Sequence, residues 1–97
     1  MTFRFLTPAL NELTEAAGYY HAKAPGLGAD FLDEIDQALE LMLAFPEAWD
    51  KLSKEFRHFN LRRFPYSLIY SLNKGDELVI ASVFHQSRDP SSWRDNL

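Results

Sequence analysis

The sequence contains no cysteine. Disulfides and thiolate-held zinc are thereby excluded, and a reducing compartment, the cytoplasm, is the expected location. Glycine is scarce, and its four copies are scattered. No glycine-rich loop is therefore present to cradle a phosphate. No segment approaches the ~18 uninterrupted apolar residues that a membrane span needs. The start, Met1-Thr2-Phe3-Arg4-Phe5, has no long apolar core behind a basic end, so no signal peptide is expected. The histidines His21, His58 and His85 are never three or four residues apart, which denies a metal its usual ligand spacing. Neither a metal nor a cofactor is expected. No period of ~20–50 residues repeats, which excludes a solenoid.

What is present is an ordinary globular composition, 46% hydrophobic and 25% charged over 97 residues. That length suits one domain, residues 1–97. The net charge of −4 hides an asymmetry. Residues 1–50 carry two basic and nine acidic side chains, whereas residues 51–97 carry eight basic and five acidic. Lys51, Lys54, Arg57, Arg62 and Arg63 face only Glu55 within residues 51–63, the one stretch that would attract an anion.

Hydrophobic periodicity divides the chain. Phe3 to Leu6 reads as a short strand. Thr7-Pro8 predicts a helix start, with Thr7 as the N-cap and Pro8 in the first helical position. Leu10, Leu13, Ala16, Ala17 and Tyr20 recur at helical spacing, with Glu12 and Glu15 pointing elsewhere. Ala24-Pro25-Gly26 ends this helix. A second helix is predicted over Leu27 to Phe45, with Leu27, Phe31, Ile35, Leu39 and Met42 as its buried stripe. Pro46 stops it. After Trp49 the period changes: Phe56, Phe59, Leu61 and Phe64 surround charged residues, Ser67–Leu72 and Glu77–His85 are rich in strand formers, and Asn73-Lys74-Gly75-Asp76 is a turn. The last strand is almost continuously apolar, so both its faces should be covered. Pro65 cannot donate a ladder hydrogen bond and belongs at a strand junction or edge. Asp89-Pro90 could cap a short final helix carrying Trp93. The predicted fold is α+β, in the order β-α-α-β-β-β, with a helical hairpin packed on a mostly antiparallel twisted sheet. The sheet face away from the helices is expected to carry the basic residues.

His85 invites two readings. It could bond a backbone group and close the sheet, or it could move protons. Arg62, Arg63 and Arg88 could approach one another and stabilise charge on a phosphorane during RNA cleavage, or hold an acidic protein segment. Strand alternation allows at most one of Arg62 and Arg63 to share a face with Arg57.

Two runs in order, Arg63-Phe64-Pro65-Tyr66-Ser67-Leu68-Ile69-Tyr70 and Val83-Phe84-His85-Gln86-Ser87-Arg88-Asp89-Pro90, resemble RelE/ParE toxins, on the ParE or plasmid-stabilisation side. The Phe-Leu-Thr-Pro-Ala start, Tyr19-Tyr20 and Pro46 fit the same family. The resemblance implies the toxin of a type II toxin–antitoxin system, neutralised by a cognate antitoxin with which it forms a hetero-oligomer. One branch inhibits growth by binding DNA gyrase. The other cuts mRNA on the ribosome. A third outcome is a degenerate member that only binds a partner. The nuclease branch often has an Arg where this chain has Ser67, and often a basic or aromatic pair at its extreme C-terminus. Here the last residues are Arg94-Asp95-Asn96-Leu97. These departures favour the gyrase branch and an inhibitor over an enzyme. The binding candidates are Arg57, Arg62, Arg63, Tyr66, His85, Arg88 and Trp93. Arg62, Arg63, His85 and Arg88 would be catalytic only in a nuclease.

Overall fold

The computed structural model describes residues 1–97. The chain runs β1 (Thr2–Phe5), α1 (Thr7–Lys23), α2 (Leu27–Ala44), β2 (Phe56–Asn60), β3 (Tyr66–Asn73), β4 (Glu77–His85) and a 3-10 turn, Ser92–Asn96. The α+β order expected from the sequence is the one observed. The four strands form one sheet in the order β1-β4-β3-β2. β2–β3 and β3–β4 are antiparallel, while β1 lies parallel to β4, Thr2 beside Glu77. No helix is long and apolar enough to cross a membrane.

The start of α1 departs from the expectation. Thr7 is already helical, and the cap position is Leu6, in extended backbone with no side-chain cap bond. Leu6 is held there because its N–H donates to Ile80 O at 2.9 Å, the last rung of the β1–β4 ladder. Sheet pairing thus sets where the helix begins. The turn between the helices uses Gly26 at φ 79°, a left-handed conformation that costs glycine little. α1 and α2 then approach closely at Gly28, where a Cβ would stand 3.0 Å from Ala17 O and from His21 Cβ.

The predicted stripe of α2 is the buried one. Phe31, Ile35, Ala38, Leu39 and Met42 pack with Ala9 and Ala16 of α1 against Leu68, Tyr70, Leu78, Ile80 and Val83 of the sheet. Ile80 and Val83 cannot share a face in a regular strand, whose side chains alternate. A bulge resolves this. Ile69 pairs with Ser82 and Tyr70 with Ile80, so Ala81 has no partner and the alternation resets. The other face of the sheet is covered as well. Ile69 and Phe84 pack under Trp93 of the 3-10 turn, with Phe56 beside them. β4 is therefore buried from Leu78 to Phe84, as its nearly continuous apolar run requires. Pro65 immediately precedes β3, where its missing N–H interrupts no rung.

This second layer corrects one expectation. The sheet face away from the helices is not a basic surface. Phe56, His58, Ile69 and Phe84 point to it, and the final turn closes part of it.

Candidate functional site

The arginines expected to converge do not. Arg57 pairs with Tyr70 across the ladder and so faces the helix side, where its Nη1 donates to Trp49 O at 2.8 Å. Alternation dictates this, because Phe59, two residues on, fills the core margin beside Trp49 at a ring separation of 4.6 Å. Arg62 and Arg63 lie beyond the end of β2, in the loop to β3. Glu34 of α2 holds that loop by accepting the backbone N–H of Arg62 at 2.9 Å and of Arg63 at 3.2 Å. Arg63 also pairs with Asp30 at 3.4 Å. Arg88 sits elsewhere, 3.0 Å from Glu12, with its guanidinium over Phe84.

Tyr66 and His85 are brought together as cross-strand neighbours, rings 4.9 Å apart and nearly perpendicular. His85 Nδ1 accepts the backbone N–H of Ser87 at 3.1 Å and lies 2.7 Å from Ser87 Oγ. A nitrogen that accepts an N–H bond presents its lone pair, so the ring of neutral His85 carries its single proton on Nε2. His85 thus fastens the chain where it leaves β4. Asp89 continues this fastening. Its carboxylate accepts the Ser91 N–H at 3.0 Å and the Ser91 hydroxyl at 2.9 Å, which hold its pKa below the ordinary aspartate value. Trp93, a candidate for partner contact, is 3% exposed and serves instead to seat the final turn on the sheet.

Beside Tyr66 and His85 runs a groove between α1 and the ends of β3 and β4. One part, a cavity of about 290 Å³, is walled by Glu12, Glu15, Tyr19, Tyr66, His85 and Arg88. The next, of about 440 Å³, adds Tyr20, Lys23, Leu27 and Pro65. Burial first, then neighbouring tyrosines, raises the pKa of Tyr20 and Tyr66, so both stay neutral phenols. Tyr20 joins Phe31 and Phe64 in an aromatic cluster beneath the groove, edge-on for Tyr20–Phe64 and Phe31–Phe64 and tilted for Tyr20–Phe31.

One residue of this region escaped sequence reasoning. Glu12 does not simply solubilise its helix. β1 ends beside Ile80, so the outer edge of β4 beyond it has no strand partner. Glu12 occupies that edge. Its carboxylate accepts the Val83 N–H at 3.1 Å and the Ser82 hydroxyl at 2.9 Å, and Arg88 donates to its other oxygen. Asn96 completes the plug, its amide donating to Glu12 at 2.9 Å and to Ala81 O at 2.9 Å. Only the position of Glu12 on α1 opposite the free edge gives it this part, and that is a tertiary fact.

A family model described as "ParE toxin of type II toxin-antitoxin system, parDE" matches residues 3–90. The chain belongs to the ParE toxin family. Comparison with curated protein sequences yields no match. Among solved structures, the chromosomal ParDE toxin–antitoxin system from P. aeruginosa superposes with a TM-score of 0.60 at 16% identity. The match covers 88% of this chain and 95% of that one. At that identity the likeness is one of fold, and it agrees with the resemblance read from the Phe-Pro-Tyr and His-x-x-Arg-Asp-Pro runs. Membership in the ParE toxin family thus rests on nearly the whole chain.

Proposed function

We propose that this protein is the growth-inhibiting toxin of a type II toxin–antitoxin pair that acts by docking on DNA gyrase and is neutralised by its cognate antitoxin. One observation carries the reading against RNA cleavage. Of the cations that would have to surround one scissile phosphate, Arg63 is paired with Asp30 and Arg88 with Glu12, and Arg62 lies with Arg63 in the loop that Glu34 holds by its backbone. The lone pair of His85 that a general base would use is bonded to Ser87. What the region around Tyr66 and His85 offers is an aromatic groove with tyrosines at its rim, the kind of surface on which protein partners find anchors. The antitoxin has a second apolar foothold in Leu41 and Phe45, one turn apart and exposed at the end of α2.

The test is a supercoiling assay with purified gyrase and toxin freed of antitoxin. The expected result is loss of supercoiling or accumulation of cleaved DNA, reversed by adding antitoxin. Unchanged supercoiling and unchanged cleavage complexes would overturn the gyrase reading. Codon-phased new RNA ends after induction, lost in His85→Ala, would establish the nuclease instead.

A further inference from the structure

Three of the arginines, Arg4, Arg63 and Arg88, form ion pairs. Lys51, Lys54, Arg57 and Lys74 form none, yet all four line a single cavity of about 500 Å³ on the helix side of the sheet margin. The backbone puts them there. Lys51 is bridged to Arg57, and Arg57 is paired with Tyr70, so the three side chains stand in a row across neighbouring strands. Lys74 reaches in from the β3–β4 turn. Arg57 is pre-set by its bond to Trp49 O, which uses one of its five N–H donors and leaves the others free. Tyr70 closes the floor, its hydroxyl donating to Pro46 O at 2.7 Å. The acids at the cavity, Glu47 and Glu55, pair with none of the four. The cavity is cationic in a chain whose net charge is −4, and at physiological salt the rest of the chain is largely screened beyond ~8 Å.

We propose that this cavity binds the phosphodiester backbone of a nucleic acid. An acidic peptide would meet the same charges, but a peptide also needs apolar anchor points. The lining offers only Tyr70, which is fully buried, and Leu72. Phosphate contacts need cations and N–H donors and nothing else. The proposal is separate from the gyrase reading, which concerns a protein surface on another part of the molecule.

The experiment is fluorescence anisotropy of the full chain with a labelled DNA duplex and an RNA hairpin, at 50 and 200 mM salt. Four phosphate contacts give a log–log salt slope near −3.6, so affinity falls about 150-fold over this range. Lys51→Gln/Lys54→Gln removes two exposed charges and leaves Arg57 on Trp49, so the fold is kept, as circular dichroism would verify. Its slope should drop to about −1.8 and its affinity fall only about 12-fold with salt. Arg4→Gln/Arg94→Gln, with the same net charge, should behave as the unaltered protein. Whether DNA or RNA binds identifies the source of the backbone. No binding of either at 50 mM salt, equal loss in both double variants, or displacement of bound nucleic acid by an oligoglutamate of lower charge would overturn the proposal.

Discussion

Glu12→Ala is the substitution that most directly probes how the sheet is closed. Glu12 is 18% exposed and satisfies three donors besides Arg88, namely the Ser82 hydroxyl, the Val83 N–H and the Asn96 amide. Alanine leaves the Val83 N–H without a partner on a buried strand, which costs about 1–3 kcal/mol. The Ser82 hydroxyl, on a fully buried residue, adds a second penalty of roughly 1 kcal/mol. The Arg88 pair is half-exposed on the arginine side and contributes about 0–1 kcal/mol. The total expected loss is about 2–5 kcal/mol, a large part of the ~5–15 kcal/mol that a domain has. Urea unfolding followed by tryptophan fluorescence measures it, since Trp93 sits in the turn that Asn96 anchors. Glu12→Gln keeps an acceptor oxygen for Val83 and should lose about 1 kcal/mol. If Glu12→Ala loses less than about 0.5 kcal/mol at unchanged m-value, the carboxylate does not plug the edge of β4 and the reasoning is refuted.

Other substitutions test other contacts. Gly28→Ala places a Cβ 3.0 Å from Ala17 O, so α1 and α2 must separate, and thermal unfolding should report a loss of about 1–3 kcal/mol. Glu34→Ala frees the backbone N–H groups of Arg62 and Arg63 and should raise amide exchange at 62–63 by roughly tenfold, with little change in β4. Tyr70 has its pKa pushed up from 10.0 to about 12 by burial, with Arg57 pulling the other way. The unfolded chain loses this proton first, so stability should fall as pH rises from about 10 to about 12. Tyr70→Phe should remove part of that alkaline loss in denaturation measured at pH 9 and pH 11. At neutral pH it should cost about 1 kcal/mol for the missing bond to Pro46 O.

The layers of the fold were legible because they rest on local periodicity. The Phe31–Ile35–Leu39–Met42 stripe and the apolar run of β4 each require cover, and the structure supplies it. The helix start was not legible. Thr7 is a good capping residue, but the rung from Leu6 to Ile80 fixes the boundary one residue earlier. The bulge at Ala81 was equally hidden, since it exists to reconcile Ile80 and Val83 with one core. The candidate site was legible in part. Tyr66 and His85 do meet, because register brings residues of two recognisable strands together. The arginine cluster failed because β2 ends at Asn60 and the following loop obeys Glu34, a residue that reads as mere wet helix face. Glu12 was missed for the same reason: no spacing in a sequence announces which carboxylate will oppose an unpaired strand edge.

The parallel pairing of β1 with β4 sets a timetable for the nascent chain. Thr2 is made well before Glu77, its neighbour in the sheet. At a synthesis rate of about 5–20 residues per second, the opening strand waits roughly 4–15 seconds before its place exists. Until then Phe3 and Phe5 have no strand to lie against, and α1 lacks the rung that fixes its first turn. The helices can form early, but the sheet is not complete until its last strand is made.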